Sequence, residues 1–220
     1  MNYLAHGWQF TGDPYFLAGT ATPDWLCVAD RSVRVRAKSA VAWSSDDDPK
    51  LAAIARGICR HHADDSRFHA SRAFVELSLD FSRRIGRALP ADAGFRSWFV
   101  GHILVELLLD SALAEEQPQR LTAYYGALAQ VDMAAIETAV NRIAARPTDR
   151  LAGFISVFCR ERFLWDYRDD GKLLVRLNQV MRRVRLPALP GSFVELLPAM
   201  RSAVRARRRE LFVTGVPARP

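Results

Sequence analysis

Apolar residues recur three or four positions apart through most of the 220-residue chain, in stretches rich in Ala, Leu and Arg. Pro14, Pro23, Pro49, Pro90, Pro118, Pro147, Pro187, Pro190 and Gly215 punctuate the pattern. The period predicts seven to nine helices, placed at 14–28, 50–65, 68–88, 92–115, 118–129, 132–145, 148–166, 170–184 and 191–212. No sustained run alternates apolar with polar residues between hairpin dipeptides, so strands are not expected. Neither an internal repeat nor a low-complexity tract breaks the sequence. The fold class read from the pattern is all-α, with a single helical domain over residues 1–220. The clearest exposed loop is WSSDDDPK, Trp43 to Lys50. Its run Asp46–Asp48 lacks the spaced oxygen ligands and closing glutamate of a calcium loop, and is expected to cap a helix or to be solvated.

Half of the residues are hydrophobic and a quarter are charged, which fits a soluble folded domain better than a disordered or membrane-embedded chain. The longest apolar stretch, Trp98 to Leu109, is broken by His102 and Glu106. It is shorter than the roughly 20 residues of a bilayer crossing, so no membrane partner is expected. The opening MNYLAHGWQF has neither the basic start nor the long apolar middle of a secretory leader, and a cytoplasmic location follows as the expectation. Cys27, Cys59 and Cys159 are odd in number and scattered, which suggests buried thiols rather than a disulfide framework or zinc knuckle. The net charge of +7 is uneven: residues 1–110 hold 13 basic and 13 acidic side chains, and residues 111–220 hold 18 and 11. Histidine is skewed the other way, since His6, His61, His62, His69 and His102 all lie in the first half. An anionic partner should therefore meet the second half, and chemistry should lie in the first.

The densest group of potential ligands is RHHADDSRFH, Arg60 to His69. At about 100° per residue, His61, Asp65 and His69 share one helical stripe at i, i+4 and i+8, with His62 at its edge. His102, Glu106 and Asp110 repeat that spacing inside the apolar run WFVGHILVELLLD, where polar groups must be paired or ligated. Imidazole with carboxylate suits Mn²⁺, Fe²⁺ or Zn²⁺. His62 reads as a surface or satisfied core residue, and Asp110, just before Ser111, as a helix-ending residue. The spacing of His102 and Glu106 is not the Glu-x-x-His of carboxylate-bridged di-iron bundles. Phosphate-binding glycine loops, a G-x-S-x-G elbow and an H-E-x-x-H helix are all missing from the sequence.

Several short segments, in order and spacing, resemble the bacterial acyl carrier protein phosphodiesterase family, all-helical hydrolases related to HD-domain phosphohydrolases. MNYLAH, Met1 to His6, is similar to that family's M-N-[FY]-L-A-H start. GTATPDW matches its G-N-x-x-x-D-[FW] segment at Gly19, Asp24 and Trp25, with Thr20 in place of Asn. GICRHHADDSRFH carries the G-I-x-x-H-x-x-x-D pattern at His61 and Asp65, with His69 where relatives usually have Asp. The family's D-H pair aligns with Gly101 and His102, and FLWDYRDDGKLLVRLNQVMRR resembles its C-terminal region around Tyr167. The resemblance implies an HD-like fold and hydrolysis of the phosphodiester joining 4'-phosphopantetheine to a serine of holo acyl carrier protein, typically with Mn²⁺. By position it puts His6, Asp24, His61, Asp65 and His102 around a metal, with His69 and Glu106 as further candidates. It makes Asp24, His61 and Asp65 the catalytic set, with Asp24 orienting water. It also predicts that Gly101→Asp, which restores the D-H pair, strengthens the site.

Acyl carrier proteins are acidic, and the C-terminal arginines Arg205, Arg208 and Arg209 are the expected docking residues. The alternative reading is a helical module, weakened in catalysis, that binds an acidic protein partner through its basic half. Interleaved aromatics are lacking among these arginines, which argues against a nucleic-acid ligand.

Overall fold

The computed structural model describes residues 1–89 and 94–212. Among them every regular element is helical: α1 (Tyr3–Gly7), α2 (Pro14–Ala29), α3 (Ala37–Val41), α4 (Pro49–His69), α5 (Arg72–Ala88), α6 (Ser97–Glu116), α7 (Pro118–Leu128), α8 (Met133–Ile143), α9 (Leu151–Glu161), α10 (Asp170–Arg183), α11 (Leu197–Ala206) and α12 (Arg208–Leu211). Phe163–Arg168 and Gly191–Leu196 form 3-10 turns. Pro90, the predicted helix start at 92 and Gly215 lie outside the described residues.

The helix starts follow local chemistry. Asp13, Ser71, Asp132 and Asp169 each accept a hydrogen bond from a backbone N–H in the first turn of the helix that follows, which satisfies donors a helix cannot pair internally. Asp48 does the same for α4, accepting from Lys50 and Leu51, so the acidic run caps a helix. The break predicted between 65 and 68 does not occur. Ser66 and Arg67 offer no glycine or proline stop, so α4 runs on to His69 and the chain turns only at the Ser71 cap. The helix predicted over 148–166 ends earlier, where Arg162 takes a left-handed conformation at φ 47°.

The described residues group into two compact units, one of 3–67 and 118–162, the other of 1–2, 68–89, 94–117 and 163–212. In the first unit α2 packs against α1, α7 and α9. Phe158 sits at the centre, its ring 4.9 Å from Tyr3, 5.5 Å from Trp25 and 5.6 Å from Tyr125. Burying aromatic side chains of this size stabilises the unit by about 1.5–3 kcal/mol apiece. Two helices approach here without side chains between them. A Cβ on Gly57 of α4 would fall 2.2 Å from the Phe16 carbonyl, and one on Gly19 of α2 would fall 2.3 Å from the Ile54 carbonyl. Only glycine allows backbones that close.

In the second unit α6 is the central helix, packed on α5, α11 and the 163–168 turn. By length and composition α6 would suffice to cross a membrane, yet 67% of its apolar window is buried within the protein. It is longer than the apolar run in the sequence suggests, because Ala112, Leu113 and Ala114 continue the buried surface. Gly101 marks its contact with α5: an added Cβ would lie 2.9 Å from the Ser78 carbonyl oxygen and 2.9 Å from the Ser82 nitrogen. A polar core ties the C-terminal helices in. Arg201 donates to Asp170, to the Ser111 hydroxyl and to the Tyr167 carbonyl, each at 2.6 Å. No disulfide joins the cysteines among the described residues. Cys59 and Cys159 are half-buried, and Cys27 is exposed, on a face of α2 that the core does not cover.

Candidate metal sites

In the first unit, α1 and α4 bring His6, His61 and Asp65 together, with one potential ligand atom from each lying within 4.8 Å of the others. The helical period puts Asp65 one turn beyond His61, and its two oxygens divide between the histidines. Oδ1 is 3.2 Å from His6 Nε2, and Oδ2 is 3.4 Å from His61 Nε2. The two imidazoles stack, with centroids 4.0 Å apart and planes 26° off parallel. The His6 and His61 side chains are 0% and 3% exposed, whereas Asp65 is 29% exposed. The group therefore opens to solvent on its carboxylate side.

One hydrogen bond sets the character of this group. His61 Nδ1 lies 2.9 Å from the Thr20 carbonyl oxygen. A carbonyl only accepts, so Nδ1 is the donor and the neutral ring carries its lone pair on Nε2, toward Asp65. The Gly19–Gly57 crossing makes that bond possible by bringing α2 backbone to α4. The Thr20 hydroxyl is not needed for it, since it donates back to Leu17 at 2.7 Å. A carboxylate oxygen and an imidazole lone pair face each other, and such a pair is stable only with a cation, proton or metal, between them.

The titration directions agree. Burial by itself would lower the His61 pKa, but Asp24, Asp65 and the Thr20 carbonyl outweigh it and hold it above the ordinary value. His6 is pushed down to about 3 by burial and by His61, against the pull of Asp65, so it is neutral and able to ligate. Burial would raise Asp65, yet His6 and His61 keep it well below the usual carboxylate range. Neither ring nitrogen of His6 has an aligned hydrogen-bond partner among the described residues, although both are buried. Two buried nitrogens without aligned hydrogen bonds, one of them 3.2 Å from an anionic carboxylate, fit a divalent cation.

Asp24, on α2, is half-buried and close enough to His61 to raise its pKa. Asp64 is occupied elsewhere, its carboxylate taking Arg60 at 2.7 Å and Arg67 at 2.7 Å. His62 donates from Nε2 to the Val35 carbonyl at 2.9 Å and is a structural residue.

His102 belongs to a different group. In the second unit it stands with His69 and Glu106, again with ligand atoms within 4.8 Å of one another. Glu106 Oε1 is 2.9 Å from His69 Nε2 and 3.2 Å from His102 Nε2. Burial would raise Glu106, but the amino terminus, His102 and His69 lower it to about 2. Asp110 is buried in α6. Tyr167 is also buried. Burial, with Asp110, pushes its pKa up.

The C-terminal arginines are largely engaged within the chain. Arg205 pairs with Glu115, Arg208 with Glu116 at 2.7 Å, and Arg207 with Glu76 and Glu210, each at 2.6 Å. Arg205, Arg208 and the two glutamates line a cavity of about 300 Å³ with Ala112. Arg209 is exposed and forms no ion pair among the described residues. The sequence pattern held no sign of these partners, because Glu115 and Glu116 lie some 90 positions upstream. No family model, curated protein or solved structure matches the chain.

Proposed function

We propose that this protein is a divalent-metal-dependent phosphodiester hydrolase built on His6, His61 and Asp65, with Asp24 beside them. The observation that carries the reading is the His61 Nδ1 to Thr20 bond, which turns an imidazole lone pair onto an anionic carboxylate and leaves the cluster in want of a cation. The short motifs around His6, Asp24 and His61 supply the substrate: the 4'-phosphopantetheine–serine phosphodiester of holo acyl carrier protein, met in the cytoplasm, with Mn²⁺ as the first metal to try.

A cation held there would screen the phosphodiester charge and acidify a water molecule. The chain's own residues divide the remaining work. His6 and His61 would hold the cation from the buried side and Asp65 from the open edge. Asp24 accepts the proton of the attacking water while the phosphorus–oxygen bond to serine breaks, and the serine oxygen takes up a proton from bulk water. Docking of the acidic carrier falls to Arg209 and to Arg205 and Arg208, which would exchange Glu115 and Glu116 for carboxylates of the partner.

The test is release of phosphopantetheine from holo acyl carrier protein, followed by the mass of the carrier, with Mn²⁺, Fe²⁺ or Zn²⁺ added to chelator-stripped protein. Parent protein should convert holo carrier to apo. Asp65→Asn should lose conversion by at least about 100-fold while its helical circular dichroism is unchanged. A parent that retains metal but leaves the carrier intact refutes the substrate. Metal retention that Asp65→Asn does not alter refutes the site.

A further inference from the structure

We propose that His69, His102 and Glu106 form a second divalent-metal site, with its own ligands and open to solvent, selective for Zn²⁺ and its neighbours over Mg²⁺ and Ca²⁺. Three features of the second unit carry this.

The first is convergence. α6 sets His102 and Glu106 one turn apart on one face, and the last residue of α4 supplies His69. A single carboxylate oxygen, Glu106 Oε1, faces both Nε2 atoms, at 2.9 Å and 3.2 Å. Ligand atoms about 2.1 Å from a tetrahedral ion stand about 3.4 Å apart. The two spacings to Glu106 need to open by only a few tenths of an ångström to take one, and all three ligand atoms already lie within 4.8 Å of one another.

The second is preorganisation. Phe74 of α5 packs against both imidazoles, with centroids 4.8 Å from His69 and 4.8 Å from His102. The two rings lie 4.9 Å apart. The aromatic wall fixes ring planes that would otherwise turn freely, so little order has to be imposed when an ion arrives.

The third is access. The His69 and His102 side chains are 34% and 37% exposed, against 14% for Glu106. An ion here keeps coordination positions for water and exchanges with the medium. Two imidazoles and one carboxylate favour Zn²⁺, Co²⁺ or Ni²⁺, whereas Mg²⁺ and Ca²⁺ want oxygen shells.

Calorimetric titration of chelator-stripped full-length protein with Zn²⁺ tests the proposal, using the parent, Asp65→Asn, His102→Ala and the double variant. The expected stoichiometries are two, one, one and none, with no heat from Mg²⁺ at the same concentration. His102 is partly exposed, so its replacement is expected to leave the fold intact, and circular dichroism on each variant checks that. If the parent binds one ion that His102→Ala abolishes and Asp65→Asn spares, this site stands and the His6–His61–Asp65 reading falls. If His102→Ala leaves the stoichiometry and affinity of the parent unchanged, or the second ion is equally well replaced by Mg²⁺, the proposal is overturned.

Discussion

The motif resemblance makes Gly101→Asp an attractive way to strengthen a metal site, and the packing of α6 on α5 predicts the opposite outcome. A Cβ at 101 would sit 2.9 Å from both the Ser78 oxygen and the Ser82 nitrogen, atoms of the α5 backbone itself. Ordinary contact begins near 3.4 Å, so the two helices would have to part by about half an ångström along a densely packed seam. Overpacking of this kind costs about 1–3 kcal/mol. For Gly101→Ala a gain of about 1 kcal/mol in helix propensity offsets part of it, leaving about 0–2 kcal/mol. For Gly101→Asp the rest of the side chain is driven into a buried seam and an unpaired carboxylate adds several kcal/mol, for a total above about 3 kcal/mol. With about 2–4 °C in Tm per kcal/mol for a chain of this size, Gly101→Ala should melt a few degrees low. Gly101→Asp should melt at least about 6 °C low or fail to accumulate, with metal content falling alongside. Thermal melts by circular dichroism, with metal analysis of the same samples, provide the measurement. A Gly101→Asp protein that melts within a degree or two of the parent and holds more metal would refute the close α5–α6 contact.

Two further outcomes follow from the same geometry. Arg201→Met removes a guanidinium that joins Asp170, Ser111 and the Tyr167 carbonyl. Asp170 is only about one-third exposed, so the loss should be about 2–4 kcal/mol, read as a Tm lower by roughly 5–15 °C. A change below about 2 °C would mean the network contributes nothing. Metal affinity at His6, His61 and Asp65 should fall as the pH drops through and just above 6.5, because His61 holds its proton more tightly than a free imidazole. The slope should correspond to one displaced proton, since His6 does not compete until the pH nears 3. A pH-independent affinity between 5 and 8, measured with the Asp65→Asn variant as control, would remove His61 from the ligand set.

Much of this was visible in the sequence, and for definite reasons. The i, i+4 pairs His61/Asp65 and His102/Glu106 follow from helical period alone, and Asp13, Asp132 and Asp169 announce their helices by capping chemistry. What period cannot supply is the third partner. Only the resemblance of MNYLAH points His6 to the first group, and the sequence places His69 with His61, because both share a stripe of α4. The structure gives His69 to Glu106, a pairing across 37 positions that depends on tertiary packing. The Thr20 carbonyl was equally hidden, since every residue has one. In the sequence Gly19 and Gly57 are only letters of short motifs; that they permit a backbone contact is a fact of three dimensions. The basic second half looked like an open docking face because its counter-ions, Glu115, Glu116 and Glu76, belong to earlier helices.

The Phe158 cluster has a bearing on how the protein is made. All of the residues of the first group are in the chain by the time Asp65 leaves the ribosome. Their seat is not: Tyr3 of α1, the helix that carries His6, rests on Phe158, and Gly7 fits against the ring of Tyr124. At typical synthesis rates roughly 5–20 s separate Asp65 from Phe158. During that interval two imidazoles and a carboxylate wait on a nascent chain whose supporting aromatic body does not yet exist. Ordering of His6 must therefore come late, after long-range closure of the first unit, and a nascent chain stalled before residue 158 should carry the motif without the site.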